Sequence, residues 1–168
     1  MREAVCLHVC HAIAVCACYR WCAASKQAQG RLAERDQWAV VGRAVRHASD
    51  EGRPAIVATF DPHPVRFFKP GVPPFRLTTL DQRQELFAAA GADAMLVLPF
   101  DAALAGTTAE DFVTDLLLDR YGAAGVVTGT DFVFGKGRGG DVVTLAEHAR
   151  THGFFTEMVA PVDDEAEV

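Results

Sequence analysis

The feature that most constrains this chain is an alternation of two hydrophobic periods. Ala55-Ile56-Val57-Ala58-Thr59-Phe60, Ala94-Met95-Leu96-Val97-Leu98, Gly125-Val126-Val127-Thr128 and Phe154 to Val159 are short, apolar and partly β-branched. That is the pattern of strands buried on both faces. Helical spacing fills the gaps. Val40, Val41, Ala44, Val45 and Ala48 precede Gly52, and Asp81 to Ala90 precede Gly91. A run ending near Tyr121 precedes Gly122, and Asp141 to His152 precede Gly153. Thr107-Thr108-Ala109-Glu110 reads as a capping box, with Thr107 as N-cap and Glu110 reaching back. Strand and helix alternating in this way predict an α/β fold, a parallel sheet with helices on both faces.

The organised pattern starts at Gln37, and the chain changes character upstream of it. Cys6, Cys10, Cys16, Cys18 and Cys22 account for all five cysteines of the 168 residues. A disulfide framework would spread its cysteines over the elements it ties together, so the body of the chain reads as cytoplasmic. Residues Ala4 to Tyr19 form an apolar run, but Glu3, His8 and His11 interrupt a secretory pattern and the run is too short to span a bilayer. Residues 1–36 are therefore expected to be an atypical segment, disordered or the product of a wrong start or reading frame. Residues 37–168 are expected to be one domain. The formal net charge of −6 offers no broad basic surface for nucleic acid.

Ligands of an open parallel sheet bind outside the carboxyl ends of its strands. The first predicted strand exits into Phe60-Asp61-Pro62-His63-Pro64, the second into Pro99-Phe100-Asp101, the third into Gly129-Thr130-Asp131-Phe132-Val133-Phe134-Gly135. Each exit carries an aspartate and a phenylalanine. Carboxylates suit Mg²⁺ or sugar hydroxyls, and aromatic rings suit a flat ligand. Aspartate also favours turns in its own right. His63, held between Pro62 and Pro64, could bind phosphate or cap the loop backbone. The Pro-rich stretch from Asp61 to about Thr79 reads as a long functional loop.

Gly135-Lys136-Gly137-Arg138-Gly139-Gly140 contains a G-x-G-x-x-G match before a helix, which invites a dinucleotide-binding, NAD-type reading. That fingerprint turns directly from the first strand into a helix, whereas here Asp131 to Phe134 intervene. Lys136 and Arg138 could contact phosphate or keep a loop soluble.

Three ordered segments resemble bacterial bifunctional riboflavin kinase/FAD synthetases. They are Ala58-Thr59-Phe60-Asp61-Pro62-His63-Pro64 with Phe67-Phe68 and Pro73-Pro74-Phe75-Arg76-Leu77-Thr78; Leu96-Val97-Leu98-Pro99-Phe100-Asp101 with Thr108-Ala109-Glu110-Asp111-Phe112-Val113; and Gly129-Thr130-Asp131-Phe132-Val133-Phe134-Gly135 through Asp141. The resemblance implies a Rossmann-like nucleotidyltransferase fold and transfer of AMP from ATP to FMN, giving FAD and pyrophosphate with Mg²⁺. It implies that Phe60, Pro62, Pro64 and Phe68 shape a flavin site, that Phe112 stands near the ring, and that Asp131 lies beside it. Metal ligands are not assigned. The implied partners are FMN and ATP, with no nucleic acid and no membrane; the oligomeric state is left open.

The chain departs from that family in two places. The family's ATP site opens with Gly-x-Phe-Asp-Gly-x-His-x-Gly-His before the first helix. Counting back from Phe60 puts its end near Asp36, where Leu32-Ala33-Glu34-Arg35-Asp36-Gln37 holds no glycine and no histidine. His8-Val9-Cys10-His11 lies upstream without the preceding motif. The family also continues into a Ser-Ser-x-x-Ile-Arg segment and a riboflavin kinase domain, where this sequence reads Asp163-Asp164-Glu165-Ala166-Glu167-Val168. The expectation is a partial FAD synthetase domain lacking the kinase, with little or no FAD synthesis. The alternatives are a flavin-binding module without catalysis and an NAD-binding protein.

Overall fold

The computed structural model describes residues 11–15, 27–71 and 79–161, with side chains from Gln37 onward. Five strands form one parallel sheet: β1 (His11–Val15), β2 (Ala55–Asp61), β3 (Ala94–Pro99), β4 (Ala123–Gly129) and, last in the chain, β7 (Phe155–Val159). The order across the sheet is β3-β2-β1-β4-β7. Two residues each of β5 (Val133–Phe134) and β6 (Gly140–Asp141) make a separate antiparallel hairpin.

Described elements begin upstream of Gln37. β1 lies at the centre of the sheet, paired in parallel with β2 from Ala12↔Ala55 to Val15↔Ala58 and with β4 from Ala12↔Gly125 to Ala14↔Val127. The first helix, α1 (Gln27–Asp50), begins well before Gln37. Gln27 to Arg35 is rich in Ala, Leu, Gln, Glu and Arg, all good helix formers, so helix propensity extends the element upstream of its apolar stripe. The remaining residues of the N-terminal segment lie outside the described residues.

Helices cover both faces. Val40, Val41 and Ala44 of α1 pack with Val57, Val127 and Phe87 on one side. Phe87 belongs to α3 (Leu80–Ala89), which follows the short α2 (Pro64–Phe68). On the other side Phe112, Val113 and Leu117 pack with Ala58, Val126, Phe132, Phe134 and Leu145. Neighbouring strand residues thus serve opposite cores, Val57 and Ala58 on β2, Val126 and Val127 on β4. Val41, Val113, Val126, Val127, Leu117 and Leu145 are fully buried. Burying each contributes about 1.5–3 kcal/mol, more than the roughly 0.5 kcal/mol that valine loses in a helix, so Val40 and Val41 are tolerated in α1.

After β3 comes α4 (Ala102–Gly106), then α5, which opens with Ala109–Asp111 and continues as a π-helix over Phe112–Arg120. Tyr121 N–H donates to Leu116 O, the five-residue step of that geometry. The N-cap of α5 is Thr108, one residue later than expected: its hydroxyl accepts from Asp111 N–H at 3.1 Å. Thr107 is engaged in closing α4, where its hydroxyl donates to Ala103 O. The last helix, α6 (Val142–His152), is capped by Asp141 and stopped by Gly153. No helix among the described residues is long and apolar enough to cross a membrane.

Candidate functional site

From β1 the chain moves outward through β2 to β3, then returns to the other side of β1 for β4 and β7. The strand order therefore reverses between β1 and β4. The crevice outside the carboxyl ends of strands at such a reversal is where open α/β sheets bind ligands. The exits of β1, β2, β3 and β4 form this edge.

At the β2 exit, the Asp61–Pro62 peptide is cis, and Pro64 begins α2 at a position where a missing N–H costs nothing. His63 caps this helix: its Nδ1 accepts from Val65 N–H at 3.2 Å. The loop-capping alternative for His63 is therefore realised at that nitrogen. Part of the expected Pro-rich loop is thus helical; residues 72–78, with Pro73-Pro74-Phe75-Arg76-Leu77-Thr78, lie outside the described residues.

Four phenylalanines gather here. Phe100, at the β3 exit, has its ring centroid 5.7 Å from Phe60, 5.5 Å from Phe67 and 5.9 Å from Phe68. Phe67 and Phe68 stand 5.2 Å apart and edge to face. Phe68 is 61% exposed, an unusual placement for an aromatic ring on an ordinary surface. Arg83 of α3 reaches across to Thr59, donating to its hydroxyl at 2.7 Å. Asp101 is a helix cap, its Oδ1 accepting from Leu104 N–H at 2.9 Å, so the turn reading holds there.

At the β4 exit, Phe132 N–H donates to Gly129 O, making a tight turn with Thr130 and Asp131 at its centre. Thr130 N–H donates to Val159 O, which ties this turn to β7. Asp131 is exposed at the β4 exit. The next residues turn inward: Phe132 and Phe134 stack at 5.3 Å, and Phe134 meets Phe112 at 5.3 Å. Phe112 is buried in the core and presents no open face.

The glycine-rich stretch folds as the β5–β6 hairpin and lies over the start of α5. A Cβ on Gly135 would fall 2.6 Å from Ala109 N, and one on Gly140 would fall 2.7 Å from the Phe134 ring. Lys136 N–H donates to Thr107 O at 2.7 Å. Close packing thus accounts for the outer glycines, and the hairpin, not a strand-to-helix turn, carries the G-x-G-x-x-G match. Lys136 and Arg138 sit on the exposed turn between its strands. Asp141 then caps α6: its Oδ1 accepts from Val143 N–H, Thr144 N–H and the Thr144 hydroxyl. The Thr144 N–H bond foremost, then its hydroxyl, hold the Asp141 carboxyl below its ordinary value.

The structure thus brings Phe60, Pro62, Pro64 and Phe68 to the β2 exit with His63, and puts Asp131 in the turn after β4. It sets Phe112 beneath the hairpin in the core. Phe100 was read as a strand-exit aromatic and Phe67 as part of the resemblance, but neither was given a place in the site. Nothing in the sequence marked Arg83.

Sequence comparisons give the family, and a structural comparison gives the fold. The sequence model described as FAD synthetase matches residues 38–168. The bifunctional riboflavin kinase/FMN adenylyltransferase of Escherichia coli (strain K12) is 36% identical over 109 residues, 62% of this chain and 35% of that protein. The enzyme of the same name from Pseudomonas fluorescens is 33% identical over 129 residues, 77% of this chain and 41% of that one. The chain therefore spans well under half the length of these two relatives. A crystal structure titled as a macrolide-efflux protein from Streptococcus pneumoniae superposes with a TM-score of 0.66, covering 92% of this chain and 46% of that one at 20% identity. That is a likeness of fold alone.

Proposed function

Because this chain belongs to the FAD synthetase family, we propose that it is an FMN adenylyltransferase module whose flavin side is retained and whose ATP side is depleted. The reaction of such a module joins the FMN phosphate to the α-phosphorus of ATP and releases pyrophosphate, giving FAD. It needs no covalent enzyme intermediate, so the protein's part is positioning and charge neutralisation.

The observation that carries the flavin side is the exposed aromatic edge at the β2 and β3 exits, where Phe68 is 61% exposed. Phe60, Pro62 and Pro64 would shape that edge under the flavin ring. Asp131 would meet polar groups of the flavin at the neighbouring exit. Phe112 would act from below, supporting Phe134 and the hairpin. Lys136 and Arg138 stand on the hairpin turn as candidate phosphate contacts, and His63 keeps its loop in shape. Mg²⁺ would enter with ATP and neutralise the triphosphate. In this reading the ion is held mainly by phosphates and one or two carboxylates. Asp61 and Asp131 have the right chemistry at the right edge. A cytoplasmic location is part of this reading.

What weighs against ATP is the connection between β1 and α1. The count back from Phe60 had placed the family's phosphate motif near Asp36; α1 begins at Gln27, so the connection is residues 16–26. Its sequence, Cys16-Ala17-Cys18-Tyr19-Arg20-Trp21-Cys22-Ala23-Ala24-Ser25-Lys26, has no glycine and no histidine. Glu34 and Asp36 fall within α1 instead. The module is expected to make little or no FAD from FMN and MgATP in a chromatographic assay. FAD accumulating with repeated turnover would overturn the depleted ATP side.

A further inference from the structure

α2 is only five residues long. A helix that short has no stability of its own in water, so the direction of the exposed Phe68 ring must be set by its neighbours. Phe100 is placed to do this. Its ring contacts Phe60, Phe67 and Phe68 at 5.5–5.9 Å with interplanar angles of 68–87°, the edge-to-face arrangement that aromatic pairs favour. Its backbone is fixed on both sides. Phe100 N–H donates to Asp61 O at 3.2 Å, one step beyond the last sheet pair, Asp61↔Pro99. The next residue, Asp101, caps α4. Phe100 is half-buried, whereas Phe68 is exposed.

The geometry points to Phe100 as a positioning residue that anchors α2 to the sheet and holds the Phe68 ring as a platform for a planar, aromatic heterocycle. This rests on the flavin reading above, which supplies that ligand as the isoalloxazine of FMN. Phe100 acts through Phe68 and need not touch the ligand.

The test is titration of FMN with the purified 168-residue chain, read by fluorescence quenching, for wild type, Phe68→Ala, Phe100→Ala, the double variant and Phe100→Tyr. Each single alanine variant should weaken binding about tenfold. The double variant should be about as weak as either single one, because residues acting as a unit are not additive. Phe100→Tyr, which keeps the ring, should stay within about twofold of wild type. Phe100→Leu replaces the alanine variant if that one fails to fold. A folded Phe100 variant that binds like wild type, or losses that add in the double variant, would overturn the role of Phe100 alone. Wild type showing no saturable FMN binding would overturn this role together with the flavin reading.

Discussion

At the scale of single residues, the glycines of the hairpin separate by what a methyl group would meet. Gly135 has φ +74° and backbone atoms of Ala109 at 2.6–2.7 Å from an added Cβ. Backbone cannot rotate away, so Gly135→Ala should cost about 1–3 kcal/mol in urea unfolding. Gly42, inside α1 with nothing within 4 Å, should behave in the opposite way: Gly42→Ala should gain about 0.5–1 kcal/mol. Equal effects at the two positions would contradict this packing. Asp141 gives a pH-dependent case. Its folded value is depressed by the Thr144 and Val143 bonds. Its contribution is therefore full above the unfolded carboxylate value of about 3.9 and is lost as pH falls through the lower folded value. Asp141→Ala should melt below wild type at neutral pH, and the gap should close only in acid; a gap constant across that window would exclude the cap. Side-chain chemistry of this kind was partly legible. Asp101 and His63 have the local bonds their types favour, but whether a given Asp or Thr caps a helix depends on what its neighbour is doing. Thr107 closes α4, which leaves Thr108 to open α5, and no spacing rule distinguishes them.

At the scale of elements, β2, β3, β4, β7 and most of the helices follow from their hydrophobic periods, within a residue or two at their ends. α1 starts at Gln27 rather than Gln37, and α4 and the β5–β6 hairpin carry no period of their own; α2 and β1 show why. α2 lies inside a Pro-rich stretch, where Pro62, Pro64 and Pro70 read as loop; a proline in the first turn is compatible with a helix, but the sequence offers no periodic face over five residues. β1 lies within a Cys-rich apolar run, and a short apolar run fits a buried strand, a helix or a secretory core equally well. Its identity comes from pairing with two neighbours, which is tertiary information. Because β1 is bonded on both sides, Ile13→Pro should remove a ladder N–H from the centre of the sheet. The expected outcome is loss of the cooperative thermal transition in circular dichroism. An unchanged melt would remove β1 from the sheet.

At the scale of the whole molecule, the placement of β1 makes the sheet doubly wound about a reversal and fixes which edge can bind a ligand. The residues proposed for the flavin side lie in two contiguous segments, Thr59 to Phe68 and Gly129 to Asp141, so their grouping at strand exits was readable in the sequence. The aromatic cluster was not, because Phe100 meets Phe67 and Phe68 only when β3 pairs with β2. The family is established over residues 38–168, and the proposed division into a retained flavin side and a depleted ATP side follows from what each strand exit carries. The most direct test of that division is FMN fluorescence titrated with the purified chain. Saturable, one-to-one quenching with a Kd of about 1 μM or tighter, unaffected by MgATP, is the expected result. Quenching that never saturates, from protein shown to be folded, would contradict it.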